Sequence, residues 1–174
     1  MTYEELLEQA RPKMGKYCKA CPVCNGKACK NQMPGPGAKG VGDTAIRNYE
    51  KWQAIRVQMD TLCVNKKVDT RWKIFGKTFA YPFFAGPVGA VNLHYGEAYN
   101  DASYNEILVS ACAEAGIAAM TGDGVNADVM QCATEAIKKA EGIGIPTVKP
   151  WNLETVKGNA EIAAQFGKDV RQYC

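Results

Sequence analysis

The chain has 174 residues, 47% of them apolar and 22% charged, with a formal net charge of +3. Such a chain can bury one core, and its composition excludes disordered, collagen-like and coiled-coil chains. The small charge speaks against a nucleic-acid partner, and no apolar run reaches the roughly 18–20 residues of a membrane span.

The acidic start Met1-Thr2-Tyr3-Glu4-Glu5 lacks the order of a signal peptide, so a soluble, cytoplasmic protein is expected. A single histidine, His94, excludes any centre or mechanism that needs two within the chain. The length also falls short of a complete eight-stranded α/β barrel, which takes about 250 residues.

In chain order, residues 2–10 carry Leu6, Leu7 and Ala10 on one side of an amphipathic helix that ends at Arg11-Pro12. Residues 15–42 are rich in Cys, Gly and Pro, with a loop at Met33–Gly37 and no acid between Arg11 and Gly42. Residues 44–60 read as a helix with Ile46, Tyr49, Ile55 and Met59 toward a core. Val68–Phe79 reads as a hairpin turning at Gly76-Lys77.

A regular pattern follows. Apolar runs begin at Pro82, Ile117 and Ile145, each followed by glycine or proline. Helical spacing fills the gaps: Ile107, Leu108, Ala111, Cys112 and Ala115 before a stop at Gly116, then Val129, Met130, Ala133, Ile137 and Ala140 before a stop at Gly142. Asn152 reads as the cap of another helix, which Ala160, Ile162, Ala163 and Phe166 could complete; Asp169–Cys174 is too polar for a buried strand. Buried strands alternating with helices at about 30-residue spacing predict βαβ units and a parallel sheet. Right-handed crossovers then gather Gly86-Pro87-Val88-Gly89, Gly122-Asp123-Gly124 and Lys149-Pro150-Trp151 at one edge, where α/β proteins bind ligands.

Two constellations carry chemistry. Cys18-x2-Cys21-x2-Cys24-x4-Cys29 can hold an iron–sulfur cluster or a zinc ion, with Lys16, Lys19, Lys27 and Lys30 offsetting the thiolate charge. The bland reading is a set of free thiols in a flexible segment, or disulfides if the chain is secreted; spacing does not choose the metal. Cys112 and Cys132 read as packing residues on helix faces. The glycine-rich strand ends let backbone approach a flat or anionic ligand, although each alone is also an ordinary turn. His94, in a loop after the first run, is either ligand-proximal or a hydrogen-bonded surface residue. Lys149, at the end of a buried run, needs an anionic or electron-rich partner, or water.

The stretch Val68-Asp69-Thr70, Ile74-Phe75-Gly76 and Pro82–Ala90 resembles the FMN-dependent α-hydroxy-acid oxidases and dehydrogenases, the glycolate oxidase and lactate oxidase group. The resemblance covers residues 44–157. It implies a hairpin closing the bottom of a β/α barrel, and Gly86, Pro87, Val88 and Gly89 at the flavin ring, where the family has Pro-Thr-Ala. It places Gly122 and Lys149 as further FMN contacts, in place of a Ser and a Gln, and Trp151 near the substrate, in place of a Tyr.

The family's catalytic His and its substrate-binding Arg belong to a later Asn-His-Gly-Gly-Arg type motif, which this sequence lacks, so His94 is not equated with that base. The resemblance therefore implies three to four βα units of a TIM-type barrel, completed by a second half-barrel or another copy, acting on a small α-hydroxy acid. The expected layout is a helix and Cys-rich segment over 1–43, the half-barrel over 44–157 and a tail over 158–174. The alternatives are a metal-binding electron-transfer or structural module built on the four cysteines, and a non-catalytic truncation product.

Overall fold

Thr2 starts the first helix, α1 (Tyr3–Ala10), through a reciprocal cap: Glu5 N donates to Thr2 Oγ1 (3.2 Å) and Thr2 N donates to Glu5 Oε2 (2.8 Å). The computed structural model describes residues 1–30, 43–74, 76–124, 126–141 and 143–165. The expected loop at Met33–Gly37, the stop at Gly142, Phe166 and the tail Asp169–Cys174 lie outside these residues. The chain divides into two compact units, one of Met1–Lys67 with Asn92–Ala98, the other of Val68–Val91 with the residues from Tyr99 onward.

In the first unit α1 runs into a tight turn at Arg11–Lys13, where Pro12 cannot continue the α-helical bonding. Helix α2 spans Asp43–Ala54 and stops short of the expected residue 60. The Arg56 guanidinium donates to the carbonyls of Gln53 and Ile55, taking up acceptors that the next turn would need. Ile55 and Met59, expected in a core, are exposed. Helix α3 (Val91–Tyr95) carries His94, which the sequence placed in a loop. Among the described residues of this unit, only Gly26 is buried.

The second unit opens with the hairpin of β1 (Trp72–Ile74) and β2 (Lys77–Phe79), antiparallel, with Trp72 opposite Phe79. Lys77, expected in the turn, lies in β2. Gly76 takes the left-handed position (φ +78°), which frees Lys77 to join the strand opposite Ile74.

Strands β3 (Phe84–Ala85), β4 (Ala118–Thr121) and β5 (Ile145–Pro146) form a parallel sheet in that order. Phe84 lies opposite Ala118, Ala85 opposite Ala119, Met120 opposite Ile145 and Thr121 opposite Pro146. The architecture is α/β with an open three-stranded sheet. The barrel that the resemblance implies is not closed among the described residues.

Helices α4 (Asp101–Ala115), α5 (Val129–Lys139) and α6 (Leu153–Gln165) supply the rest of this unit. Asn100 and Ser103 cap α4 reciprocally, and Gly116 ends it at φ +72°. Asn152 caps α6 by accepting from Thr155 N (2.8 Å). The buried side of α4 is Asp101, Asn105, Val109 and Cys112, so Ile107, expected inside, is exposed. Cys132 is half-buried on α5, whose buried residues include Ala133, Ala136 and Ile137. Val109, Cys112, Ala119, Ala136, Ile137 and Ala163 form the core, with Ala85, Leu108, Ile117 and Ala140 packed against it. Small residues dominate it, so helices and sheet approach closely. Among the described residues, no helix is long and apolar enough to cross a membrane.

Candidate functional site

Parallel pairing brings the C-terminal ends of β3, β4 and β5 to one side, and three buried polar side chains hold the segments that follow. Asp101 accepts from Val91 N (2.9 Å), fixing the segment after β3. Asn105, one turn further along α4, grips Gly122 twice: its Oδ1 accepts from Gly122 N (3.0 Å) and its Nδ2 donates to Gly122 O (3.3 Å). Asp123 accepts from Lys149 N (2.8 Å), tying the segment after β4 to the one after β5. Buried carboxylates and amides are tolerated only when paired, and here their partners are backbone groups that no strand or helix satisfies.

The glycines at these ends differ in purpose. A Cβ on Gly122 would run into the Val88 carbonyl, and one on Gly89 would lie 2.6 Å from Asp123 O. A Cβ on Gly124 would strike the Asp101 carboxylate. These three let the strand-end segments pack against each other. Gly86 is different, since a Cβ there would meet nothing within 4 Å. Gly86 and Pro87 are exposed, and Val88 and Gly89 are half-buried.

Lys149 is half-buried, and its Nζ lies 5.3 Å from the centre of the exposed Trp151 ring. This ammonium–ring contact leaves the charge available to an anionic ligand. Trp151 borders a cavity of about 440 Å³ together with Asp123, Gly124, Thr155, Asn159 and Ile162. The Thr121 hydroxyl, at the end of β4, is buried with no hydrogen-bond partner among the described residues.

The other expected site residues lie in the first unit. His94 stands on α3, its ring 6.0 Å from that of Tyr95. Cys18, Cys21 and Cys29 are half-buried and Cys24 is exposed, all as free thiols. Burial pushes the Cys29 thiol up, Cys24, Cys18 and Cys21 push the same way, and a backbone hydrogen bond opposes them. The four thiols are electrostatic neighbours, yet no group of three or more ligating side chains among the described residues is gathered to hold a metal.

The family model described as FMN-dependent dehydrogenase matches residues 35–159. The chain belongs to the FMN-dependent dehydrogenase family. Neither the comparison with curated proteins nor that with solved structures found a match. The matched span includes all three strand ends of this FMN-dependent dehydrogenase family member, and the residues there fit a flavin in two respects. The open face at Gly86 admits a flat ring against the backbone, and the unpartnered Thr121 hydroxyl leaves a polar group for something other than this chain's described residues to meet.

Asp101 and Asn105 escaped the sequence reading, and Asp123, though placed at the strand-end edge, was given no role there. The first two form an i, i+4 polar pair in the opening turns of a helix, on the same face as Val109 and Cys112. That pattern was a usable signal. Asp123, between two glycines, had no such pattern to mark it.

Proposed function

We propose that these strand ends form part of the cofactor site of an FMN-dependent oxidoreductase that oxidises a small, lactate- or glycolate-like α-hydroxy acid. Family membership supports the cofactor and the reaction type. The observation that carries the reading is the set of bonds from Asp101, Asn105 and Asp123, which holds three backbone segments in register at one edge of the sheet. Preorganised backbone of this kind suits a ligand recognised largely through its plane and its polar rim.

Bound FMN supplies the hydride acceptor. On this reading Gly86, Pro87, Val88 and Gly89 present backbone to the ring, and Gly122 stands nearby, fixed by Asn105. Lys149 offers its charge to the end of the ring where electron density accumulates on reduction. Trp151, beside the cavity, faces the substrate side. The three strands are read as consecutive strands of a β/α barrel whose open edges, β3 and β5, accept a second half-barrel or another copy.

Titrating FMN with the chain and following flavin fluorescence tests this. A saturable change is expected, and Lys149→Met should weaken binding by about tenfold, the equivalent of ~1.4 kcal/mol, with an unchanged circular dichroism spectrum. No saturable change with the folded wild-type chain, or equal affinity in the variant, overturns the assignment.

A further inference from the structure

Gly158 lies in the middle of α6, where glycine is a poor choice because it holds the helical backbone less firmly than alanine would. At Gly122 and Gly124 a crowding neighbour explains the missing side chain. No such neighbour exists at Gly158, which is half-buried although a Cβ there would meet nothing within 4 Å. It borders the cavity of about 440 Å³ beside Trp151. Small-ligand sites typically measure about 300–1,000 Å³. A helix position left open onto such a space keeps room for a guest.

The polar groups on the cavity wall come from two elements. Asp123 and Asn126 belong to the segment after β4, while Thr155 and Asn159 stand one turn apart on α6. The side chains of Asn126, Thr155 and Asn159 make no hydrogen bond to a described residue; Thr155 bonds through its backbone N. Asp123 is buried and accepts from Lys149 N through Oδ2, so its Oδ1 has no partner among the described residues. Hydrogen-bonding capacity is therefore unspent on both sides.

Charge narrows the occupant. Among the described residues, Asp123 is the one ionisable group on this wall, and its carboxylate disfavours an anion such as the α-hydroxy acid itself. Lys149 Nζ, 5.3 Å from the centre of the Trp151 ring, already sets a cation against that ring, where a second would be repelled. A flat heterocycle offers polar atoms along its edge only, whereas groups from two elements suit a ligand with hydroxyls all round.

We infer that this cavity is a binding site for an uncharged polyhydroxylated ring of monosaccharide size, a sugar or a cyclic polyol, separate from the flavin and from the acid it oxidises. Its hydroxyls donate to Asp123 Oδ1 and both donate to and accept from the Asn126 and Asn159 amides and the Thr155 hydroxyl. Its C–H surface lies against Trp151 and Ile162.

Saturation-transfer NMR of the full chain with glucose, galactose, mannose and myo-inositol, each up to about 50 mM, tests the site. Saturable binding of at least one is expected. Gly158→Leu, which fills the opening, should abolish it, and Asn159→Ala should weaken it about tenfold, the second variant deciding where the first folds poorly. No saturable binding of any of the four overturns the assignment. So does binding that either folded variant leaves unchanged, and so does lactate or adenosine binding as tightly as the sugars and lost in the same variants. FMN titration of both variants should match wild type, so this site and the flavin reading fail separately.

Discussion

Replacing Asn105 with alanine isolates the polar bonding that holds the strand ends. The side chain is fully buried, and its loss leaves both Gly122 N–H and Gly122 C=O without a partner. A buried polar group left unpaired costs about 1–3 kcal/mol, and the 3.3 Å bond to the carbonyl belongs at the low end. The small cavity adds to this, giving about 3 kcal/mol in all. With a urea dependence of about 2 kcal/mol/M, the unfolding midpoint moves down by about 1.5 M. Asn105→Asp separates the two bonds, since a carboxylate still accepts from Gly122 N but turns an anionic oxygen toward Gly122 O. Burial raises the pKa of that new carboxyl above its unfolded value of about 3.9, so the folded state binds more protons between the two pKa values. Stability of this variant therefore falls as pH rises through that window, and it is closest to wild type at about pH 4. Urea titration followed by circular dichroism at both pH values checks both variants. A midpoint shift under about 0.3 M for both at neutral pH would refute the account, because an exposed hydrogen bond would cost as much.

Three further outcomes follow from the same geometry. Gly122→Ala forces a Cβ into the Val88 carbonyl and should cost about 2–4 kcal/mol in urea unfolding; a variant as stable as wild type would show that the two segments separate freely. The hydrogen bonds from Arg71 hold Asp69 down at about 2, below an unfolded value of about 3.9. Whatever this exposed pair contributes is present above the unfolded value and lost as pH falls through about 2; carbon NMR titration should find that midpoint, and Arg71→Ala should return it to the usual carboxylate range. Burial pushes the Cys112 thiol up while Cys63 is exposed, so mass spectrometry after brief iodoacetamide treatment should find Cys63 alkylated well before Cys112.

The α/β alternation was legible because periodicity reports burial. The runs from Pro82, Ile117 and Ile145 hold the three parallel strands, and Gly116 ends α4 in the left-handed conformation. Apolarity misled on α4, where Ile107 looked inward but Asp101 and Asn105 take the buried face. Their bonds to Val91 and Gly122 outweigh the burial of one isoleucine, and no hydropathy pattern encodes a backbone partner ten or more residues away. Residues 55–60 misled similarly: their spacing is helical, but Arg56 spends its guanidinium on the carbonyls at the end of α2. The glycines mark the strand ends without telling their purposes apart: of those there, Gly86 is open on its Cβ side, whereas Gly89, Gly122 and Gly124 give that side to neighbouring backbone and to Asp101.

The Asp101–Val91 bond joins residues ten apart in the chain, on either side of Asn92–Ala98, the stretch that belongs to the first unit. In polymer terms this excursion is a closed loop whose ends are already held together. The closure entropy of such a loop rises only logarithmically, by about 0.6 kcal/mol for each doubling of its length. The position is therefore a natural insertion point, where the first unit can acquire or exchange sequence at little expense to the sheet and its helices.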